Sequence, residues 1–226
     1  MKSRASYKEY ILDVVFIAIV VQVVRIGIKY ILSSQLNLSL TNLIITSIIS
    51  FIIISTFLVL VLKDNEKYNP SNIKIINMFN NQSQQIRKIL LIIFIILLIM
   101  YPYFRYGYDF DSIFILILSL IIIPIFEELL FREYLWNYLN NYIKNTIITF
   151  ISITIIYALF QVGYIDIIKQ YLECTNTHNY IIDIVSENIL RGLLMGILIG
   201  ATKIKLKDTS ICMLIHGIFS ISLIKF

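Results

Sequence analysis

Seven apolar segments divide this chain, and most of them approach the ~20 residues that a helix needs to cross a bilayer. They lie at residues 10–32, 41–62, 88–104, 112–134, 146–165, 187–202 and 209–224. Hydrophobic residues make up 58% of the 226 positions, and the mean hydropathy is +0.83. Because lipid offers no partner to backbone polar groups, the segments must be helical. The sequence therefore predicts an all-α fold, a polytopic transmembrane helical bundle of about seven spans.

Basic residues are distributed unevenly among the loops of this bundle. With the N-terminus inside, thirteen Lys and Arg lie in the inner segments and three in the outer ones. Such an excess is typical of cytoplasmic loops. We therefore expect a multi-pass protein of the cell membrane with a cytoplasmic N-terminus and an external C-terminus. The net charge of +5 has this explanation, and it does not indicate a nucleic-acid partner.

Two adjacent glutamates and an arginine interrupt one of the most apolar stretches, in "IIIPIFEELLFREYLW". On a helix, Glu128 and Arg132 are four positions apart and can pair, whereas Glu127 is rotated by about 100° and can face elsewhere. Charged side chains within lipid are costly and are kept mainly where they pair or do chemistry. One interpretation is a general base beside a paired carboxylate, and the other is a charge cluster where the helix leaves the membrane.

Two further features of the apolar segments have open interpretations. His216 is the one histidine within a predicted span. It either forms a hydrogen bond between two helices or acts as a ligand or proton carrier. Gly192, Gly196 and Gly200 share one helix face, which indicates tight packing or room for a bound peptide. The cysteines Cys174 and Cys212 form no CxxC or Cys/His cluster, so a thiolate zinc site is not indicated.

These residues together resemble a known family. "EELLFR" matches the EExxxR motif of the CPBP intramembrane peptidases, also called the CAAX-protease or Abi family. This family includes type II CAAX prenyl endopeptidases and bacteriocin-processing or immunity proteins. The similarity extends from about Asp111 to the C-terminus, so we divide the chain into N-terminal helices and a cytoplasmic loop at residues 1–105 and a CPBP-like core at residues 106–226.

The sequence departs from the family pattern at two supporting positions. The second motif, FxxxH, corresponds here to "FQVGY", Phe160 to Tyr164, with tyrosine in place of histidine. The third motif, HxxxN or HxxxD, corresponds to His216 and Ser220. At 1.5 Å per residue, Glu127 and His216 both come out roughly 10 Å from the inner membrane edge, but Tyr164 roughly 27 Å. Tyr164 is therefore expected to join the site only if its helix starts earlier, breaks or tilts.

The resemblance implies peptide hydrolysis by glutamate-activated water. It gives Glu127, Glu128, Arg132 and His216 as catalytic residues, with zinc as the implied metal and Glu127 and His216 as its ligands. A metal-free route stays open, in which Glu127 is the general base and His216 or Tyr164 donates to the oxyanion. The substrate would be a membrane-associated peptide or protein, in contact with membrane lipid.

Three functions are compatible with these residues. The first is an intramembrane endopeptidase. The second is a catalytically weakened family member that binds a peptide or partner in an immunity or regulatory role. The third is a small transporter, although no paired broken helices indicate inverted repeats. The sequence leaves the substrate and the oligomeric state undetermined.

Overall fold

Helices account for nearly all of the residues that the computed structural model describes, which are 7–37, 39–64, 84–105, 109–175 and 181–223. Six helical stretches are long and apolar enough to cross a membrane, and Thr209–Ser220 is a shorter apolar helix. No β-strand occurs in these ranges. The predicted all-α bundle of about seven spans is thus confirmed. Its helices are α1 (Tyr7–Ser33), α2 (Leu40–Asp64), α3 (Gln84–Arg105), α4 (Phe110–Ile143), α5 (Thr146–Phe160), α6 (Ile165–Thr175), α7 (Ile181–Leu206) and α8 (Thr209–Leu223).

The helices bury polar side chains and expose apolar ones, which is the pattern expected when the solvent is lipid. In α2, Ser47 and Ser50 are fully buried, whereas Phe57 is 64% exposed. The Ser47 hydroxyl donates to the Leu43 carbonyl oxygen at 2.7 Å, so its burial leaves no unpaired donor. Helix α3 contacts mainly α8, and its remaining faces are available to lipid.

Helix α4 carries the glutamates and is irregular on both sides of them. It widens into π-helical segments at Leu118–Ile122 and Leu129–Leu135, and the α-helical turn Ile123–Glu128 lies between them. Pro124 in that turn has no N–H to donate, which accounts for part of the irregularity. Such π segments are frequent at functional sites. At the start of α4, hydrogen bonds from Ser112 to Asp109 lower the pKa of this capping carboxyl.

Two tight turns of the same design join α4 to α5 and α7 to α8. Each places a lysine in the left-handed region, Lys144 with φ 55° and Lys207 with φ 53°, and follows it with a capping side chain. Asn145 accepts hydrogen bonds from two backbone N–H groups of α5. Asp208 does the same at the start of α8. Because each turn is so short, both helix pairs are antiparallel neighbours.

The glycine face of α7 lies against α5. A Cβ added to Gly196 would be 3.1 Å from Thr154 Cγ2, and one added to Gly192 would be 3.2 Å from the Ala158 Cα. These glycines therefore let the two backbones approach closely, which agrees with the packing interpretation of the stripe.

Some predicted boundaries are wrong. The helix of the fourth segment does not end at residue 134 but continues to Ile143, and α7 begins at Ile181 where residue 187 was predicted. Residues 165–175, after the fifth segment, form α6. Apolar periodicity did not detect these ends because the added turns are amphipathic and polar. Most of the expected cytoplasmic loop between Lys63 and Lys88 lies outside the described residues.

Candidate functional site

Glu127 and Glu128 lie in the interior of the bundle, where Glu127 is 1% exposed and Glu128 is fully buried. They end the α-helical turn between the two π segments of α4. Because the two residues are adjacent on a helix, their side chains point in different directions and contact different neighbours.

Glu128 is held by an arginine and a histidine. Arg132 Nε lies 3.5 Å from Glu128 Oε2, and neither side chain is exposed. His216 Nδ1 lies 2.9 Å from Glu128 Oε1. The Arg132 guanidinium also lies over the Tyr157 ring at 4.8 Å, a favourable cation–π arrangement. Glu128 therefore serves to orient the imidazole and to balance the arginine.

Glu127 accepts hydrogen bonds from three side chains of the α5 end and the turn after it. The Tyr157 hydroxyl donates to Oε2 at 2.5 Å. The Tyr164 hydroxyl donates to Oε1 at 2.5 Å, and Gln161 Nε2 donates to the same oxygen at 3.3 Å. On its other side, Glu127 Oε2 lies 3.7 Å from His216 Nε2. The imidazole thus stands between the two carboxylates.

Tyr164 reaches Glu127 despite the depth expected from its position in the sequence. Because α4 continues to Ile143 and turns directly into α5, Glu127 and Tyr164 lie at similar numbers of residues from that turn, about 17 and 20, and hence at similar depth. In addition, the span after α5 breaks into a 3₁₀ turn at Gln161–Tyr164. Tyr164 therefore joins the site through a break in its helix, as its condition required, and the depths from the membrane edge remain predictions.

The remaining two motif positions have different surroundings. Phe160 packs edge-on against Tyr164, with ring centroids 6.0 Å apart, and against Phe131 at 4.9 Å. It is a packing residue beneath the tyrosine. Ser220 lies one turn after His216 in α8 and is half-buried. Within the described part of the chain, no hydrogen bond joins it to the carboxylates.

Two polar residues that contact Glu127 were not predicted from the sequence. They are Tyr157 and Gln161. Tyr157 precedes Tyr164 by about two helical turns, and a buried tyrosine hydroxyl usually needs a partner. That spacing was a usable signal. Gln161 gave none, since it lies inside the motif as a variable position.

The donor set does not fit a three-ligand zinc centre as these residues stand. Among the described residues, no group of three or more His, Cys, Asp or Glu side chains is arranged to hold a metal. Glu127 receives three hydrogen bonds from its own chain, and Glu128 faces Arg132 and the Nδ1 atom of His216. A tyrosine stands where a second imidazole would be needed as the third ligand.

The fold and the site define a polytopic membrane protein with a buried, glutamate-centred polar site in its interior. Residues 109–222 match the family model of the type II CAAX prenyl endopeptidases, described as Rce1-like. This match covers about half of the chain, and the chain belongs to that family. The resemblance drawn from the EExxxR motif is thereby confirmed. No curated protein and no solved structure matches the chain significantly.

Proposed function

We propose that this protein is an intramembrane endopeptidase that hydrolyses a peptide bond by glutamate-activated water. The observation that carries the proposal is the position of Glu127 Oε2 opposite His216 Nε2, 3.7 Å away. The two atoms are close enough to contact the same water molecule placed beside them. Membership of an endopeptidase family supports the class of reaction.

The hydrogen-bonding capacity of Glu127 supports the same assignment. Oε1 accepts from both Tyr164 and Gln161, whereas Oε2 accepts from Tyr157 alone. Since each carboxylate oxygen has two lone pairs, Oε2 keeps one for a water molecule. That oxygen is the one that faces the imidazole.

His216 and Glu128 complete the orientation of the water. If Nδ1 donates its proton to Glu128 Oε1 at 2.9 Å, Nε2 of the neutral ring is an acceptor. A water that donates to both acceptors keeps its lone pairs free, and one of them can point toward a substrate carbonyl carbon. Arg132, 3.5 Å from Glu128 Oε2, balances the charge of that carboxylate.

The reaction proceeds in two steps from this arrangement. Water attacks the carbonyl carbon while Glu127 takes its proton, and the carbonyl oxygen becomes an oxyanion. Once Glu127 is protonated, the Tyr164 hydroxyl, whose one proton is donated to Glu127 Oε1 in the free protein, turns that proton to the neighbouring oxyanion and stabilises it. The C–N bond then breaks, and the proton passes from Glu127 to the leaving amine. The family suggests a prenylated C-terminal peptide as one substrate, alongside other membrane-associated peptides or proteins.

A second candidate function is favoured by the substituted motif positions. With Tyr164 and Tyr157 both bonded to Glu127, the carboxylate is well satisfied without substrate. A family member of this kind could bind a peptide or partner protein in an immunity or regulatory role and have little turnover.

Conservative replacement of the base distinguishes the two functions. The parent, Glu127→Gln and Glu173→Gln are reconstituted in liposomes with quenched fluorescent peptides, some of them carrying a C-terminal prenyl cysteine. We expect Glu127→Gln to lower kcat by roughly 10²–10⁴-fold, the usual contribution of a general base. Glu173, which is 48% exposed and lies outside the site, is the matched control and should cleave like the parent. Cleavage by Glu127→Gln at the parental rate would refute the peptidase mechanism, and binding without cleavage in both proteins would favour the second function.

A further inference from the structure

The 3₁₀ turn Gln161–Tyr164 presents two of the three side chains that hold Glu127, and it is itself held by the first helix. Backbone carbonyl oxygens beside and within this turn accept hydrogen bonds from α1 side chains. Gln22 Nε2 donates to the Phe160 oxygen at 3.1 Å, and Arg25 Nη2 donates to the Gly163 oxygen at 2.7 Å. Both α1 residues lie outside the part of the chain that matches the family.

Arg25 also holds Asp166, the second residue after the turn. Its Nη2 lies 2.6 Å from Asp166 Oδ1, and its Nη1 lies 3.2 Å from Oδ2. Lys29 reaches the same carboxylate at 3.0 Å. This two-pronged contact uses the rigid fork of a guanidinium, which a lysine cannot reproduce.

The third contact of Arg25 is with Tyr164 itself. The guanidinium carbon lies 5.3 Å from the centre of the Tyr164 ring. Arg25, which is fully buried, therefore touches the carbonyl before the tyrosine, the ring of the tyrosine and the carboxylate two residues later. The hydroxyl at the far end of that ring donates to Glu127.

The local sequence is adapted to this approach. A Cβ added to Gly163 would lie 2.5 Å from Gln22 Cδ, so only glycine leaves room for the glutamine beside the turn. Gln22 in turn accepts from Arg25 Nε at 2.7 Å. The two α1 side chains thus form one hydrogen-bonded unit against the turn.

We propose that Arg25, with Gln22 and Asp166, is a positioning group that holds the Tyr164 hydroxyl on Glu127. It does not touch substrate, and it acts through the turn. A buried ion pair is weak evidence for stability, since well-packed apolar residues often replace one at no loss. What singles out this cluster is that its contacts converge on the short turn that carries Gln161 and Tyr164. The inference rests on the proposed function in that Tyr164 is taken to serve the reaction.

The first arm of the test measures the position of Tyr164 without any need for activity. 3-Fluorotyrosine is placed at residue 164 of the full chain in nanodiscs, and its ¹⁹F signal is recorded. Glu127→Gln defines the shift produced when the hydroxyl loses its carboxylate partner. We expect Arg25→Met and Arg25→Lys to move the signal in that same direction. Lys169→Met, which removes a 65%-exposed lysine from α6, is the control and should leave it unchanged.

The second arm measures peptide cleavage per folded molecule. Misplacing a reacting group by about 1 Å can cost about 10²-fold, so we expect Arg25→Lys to lower kcat by about 10- to 100-fold with KM nearly unchanged. In a Tyr164→Phe background, the same substitution should have little further effect. Gln22→Met, which leaves the ion pair intact, should give a smaller loss of the same kind and serves if the Arg25 variants fold poorly.

Each outcome decides the matter. An unchanged ¹⁹F signal in Arg25→Lys and Gln22→Met would overturn the proposal whether or not the protein cleaves peptides. Shifted signals in the Arg25 variants, together with a parent protein that shows no cleavage, would support the positioning role and count against the proposed function alone. If the effects of Arg25→Lys and Tyr164→Phe on kcat were fully additive, Arg25 would be a purely structural residue.

Discussion

Glu127 and Glu128 are neighbours in the sequence, but the bundle gives them different tasks. Glu128 lies between Arg132 and the Nδ1 atom of His216, so its charge is compensated and one of its oxygens is hydrogen-bonded. Glu127 lies among phenol and amide donors and faces the other imidazole nitrogen. Only Glu127 combines a free lone pair with a second acceptor across from it, and this is the basis for assigning it as the general base.

The Glu128–Arg132 pair should contribute strongly to stability. Arg132→Ala leaves a buried carboxylate without its cation, which costs about 3–5 kcal/mol. The free energy of unfolding of the detergent-solubilised protein gives the comparison. Arg191→Ala is the matched control, since the Arg191–Glu187 pair is partly exposed and such pairs contribute about 0–1 kcal/mol. Equal stability of Arg132→Ala and the parent would place Arg132 at the aqueous interface instead.

Tyr164→His should convert the site toward a metal centre. The imidazole would join Glu127 and His216 as a third possible zinc ligand, and the buried position, 8% exposed in the parent, would shield it from water. We expect bound zinc near one equivalent by elemental analysis, or a gain of peptidase activity, in the folded single variant.

The double variant with Glu127→Gln controls that result. It should lose both the zinc and the gain in activity. If the single variant gains neither, position 164 does not substitute for the family histidine or Ser220 limits the site. If the gain persists without Glu127, the glutamate-base mechanism fails.

At this scale the sequence predicted contacts between near neighbours and missed those between distant ones. The spacing of Glu128 and Arg132 was enough to predict their pairing, because a helix fixes what lies four positions away. The Arg25–Asp166 pair joins residues 141 positions apart, and no local pattern specifies such a partner. Arg25 within an apolar span was a visible signal that some partner existed.

At the scale of elements, helix existence was predictable and helix ends were not. The apolar runs marked all seven spans, but the final turns of α4 are amphipathic and gave no apolar signal. That error alone made the expected depths of Glu127 and Tyr164 differ by several helical turns. The π segments and the 3₁₀ turn are local departures from a regular α-helix, and propensity does not predict them.

Gly217 tests how closely α8 must approach α4. A Cβ at this position would lie 2.6 Å from the Leu120 carbonyl oxygen and 2.7 Å from Phe94 Cε2. Overpacking of this kind costs about 1–3 kcal/mol, so Gly217→Ala should lower the melting temperature and displace the adjacent His216.

Gly27→Ala is the matched control for this substitution. A Cβ at Gly27 meets nothing within 4 Å, and alanine in a helix interior is favoured over glycine by about 0.5–1 kcal/mol. We expect Gly27→Ala to melt at or above the parental temperature. A Gly217→Ala protein as stable as Gly27→Ala would mean that α8 lies farther from α4 than the structure has it.

At the scale of the whole molecule, the site depends on both halves of the chain. The family match covers residues 109–222 and includes the glutamates, Arg132, Tyr164 and His216. Helix α1 lies outside it, yet supplies the side chains that hold the turn beneath Tyr164. The division of the chain at residue 106 remains a prediction, as does the orientation in the membrane.

The orientation can be measured with topology reporters. The excess of basic residues in alternate loops predicts a cytoplasmic N-terminus, and seven spans then place the C-terminus outside. Reporters fused after Phe226 and within the loop between α2 and α3 should therefore report opposite sides. Agreement between the two reporters would contradict the seven-span topology.

The most direct test of the glutamate-base mechanism is a single turnover of a membrane peptide in H₂¹⁸O, analysed by mass spectrometry. If Glu127 activates water, one ¹⁸O atom should enter the new C-terminal carboxylate of the product, and the enzyme fragment that contains Glu127 should remain unlabelled. Incorporation of ¹⁸O into Glu127 would show that the carboxylate attacks the peptide itself, and would contradict its role as a general base.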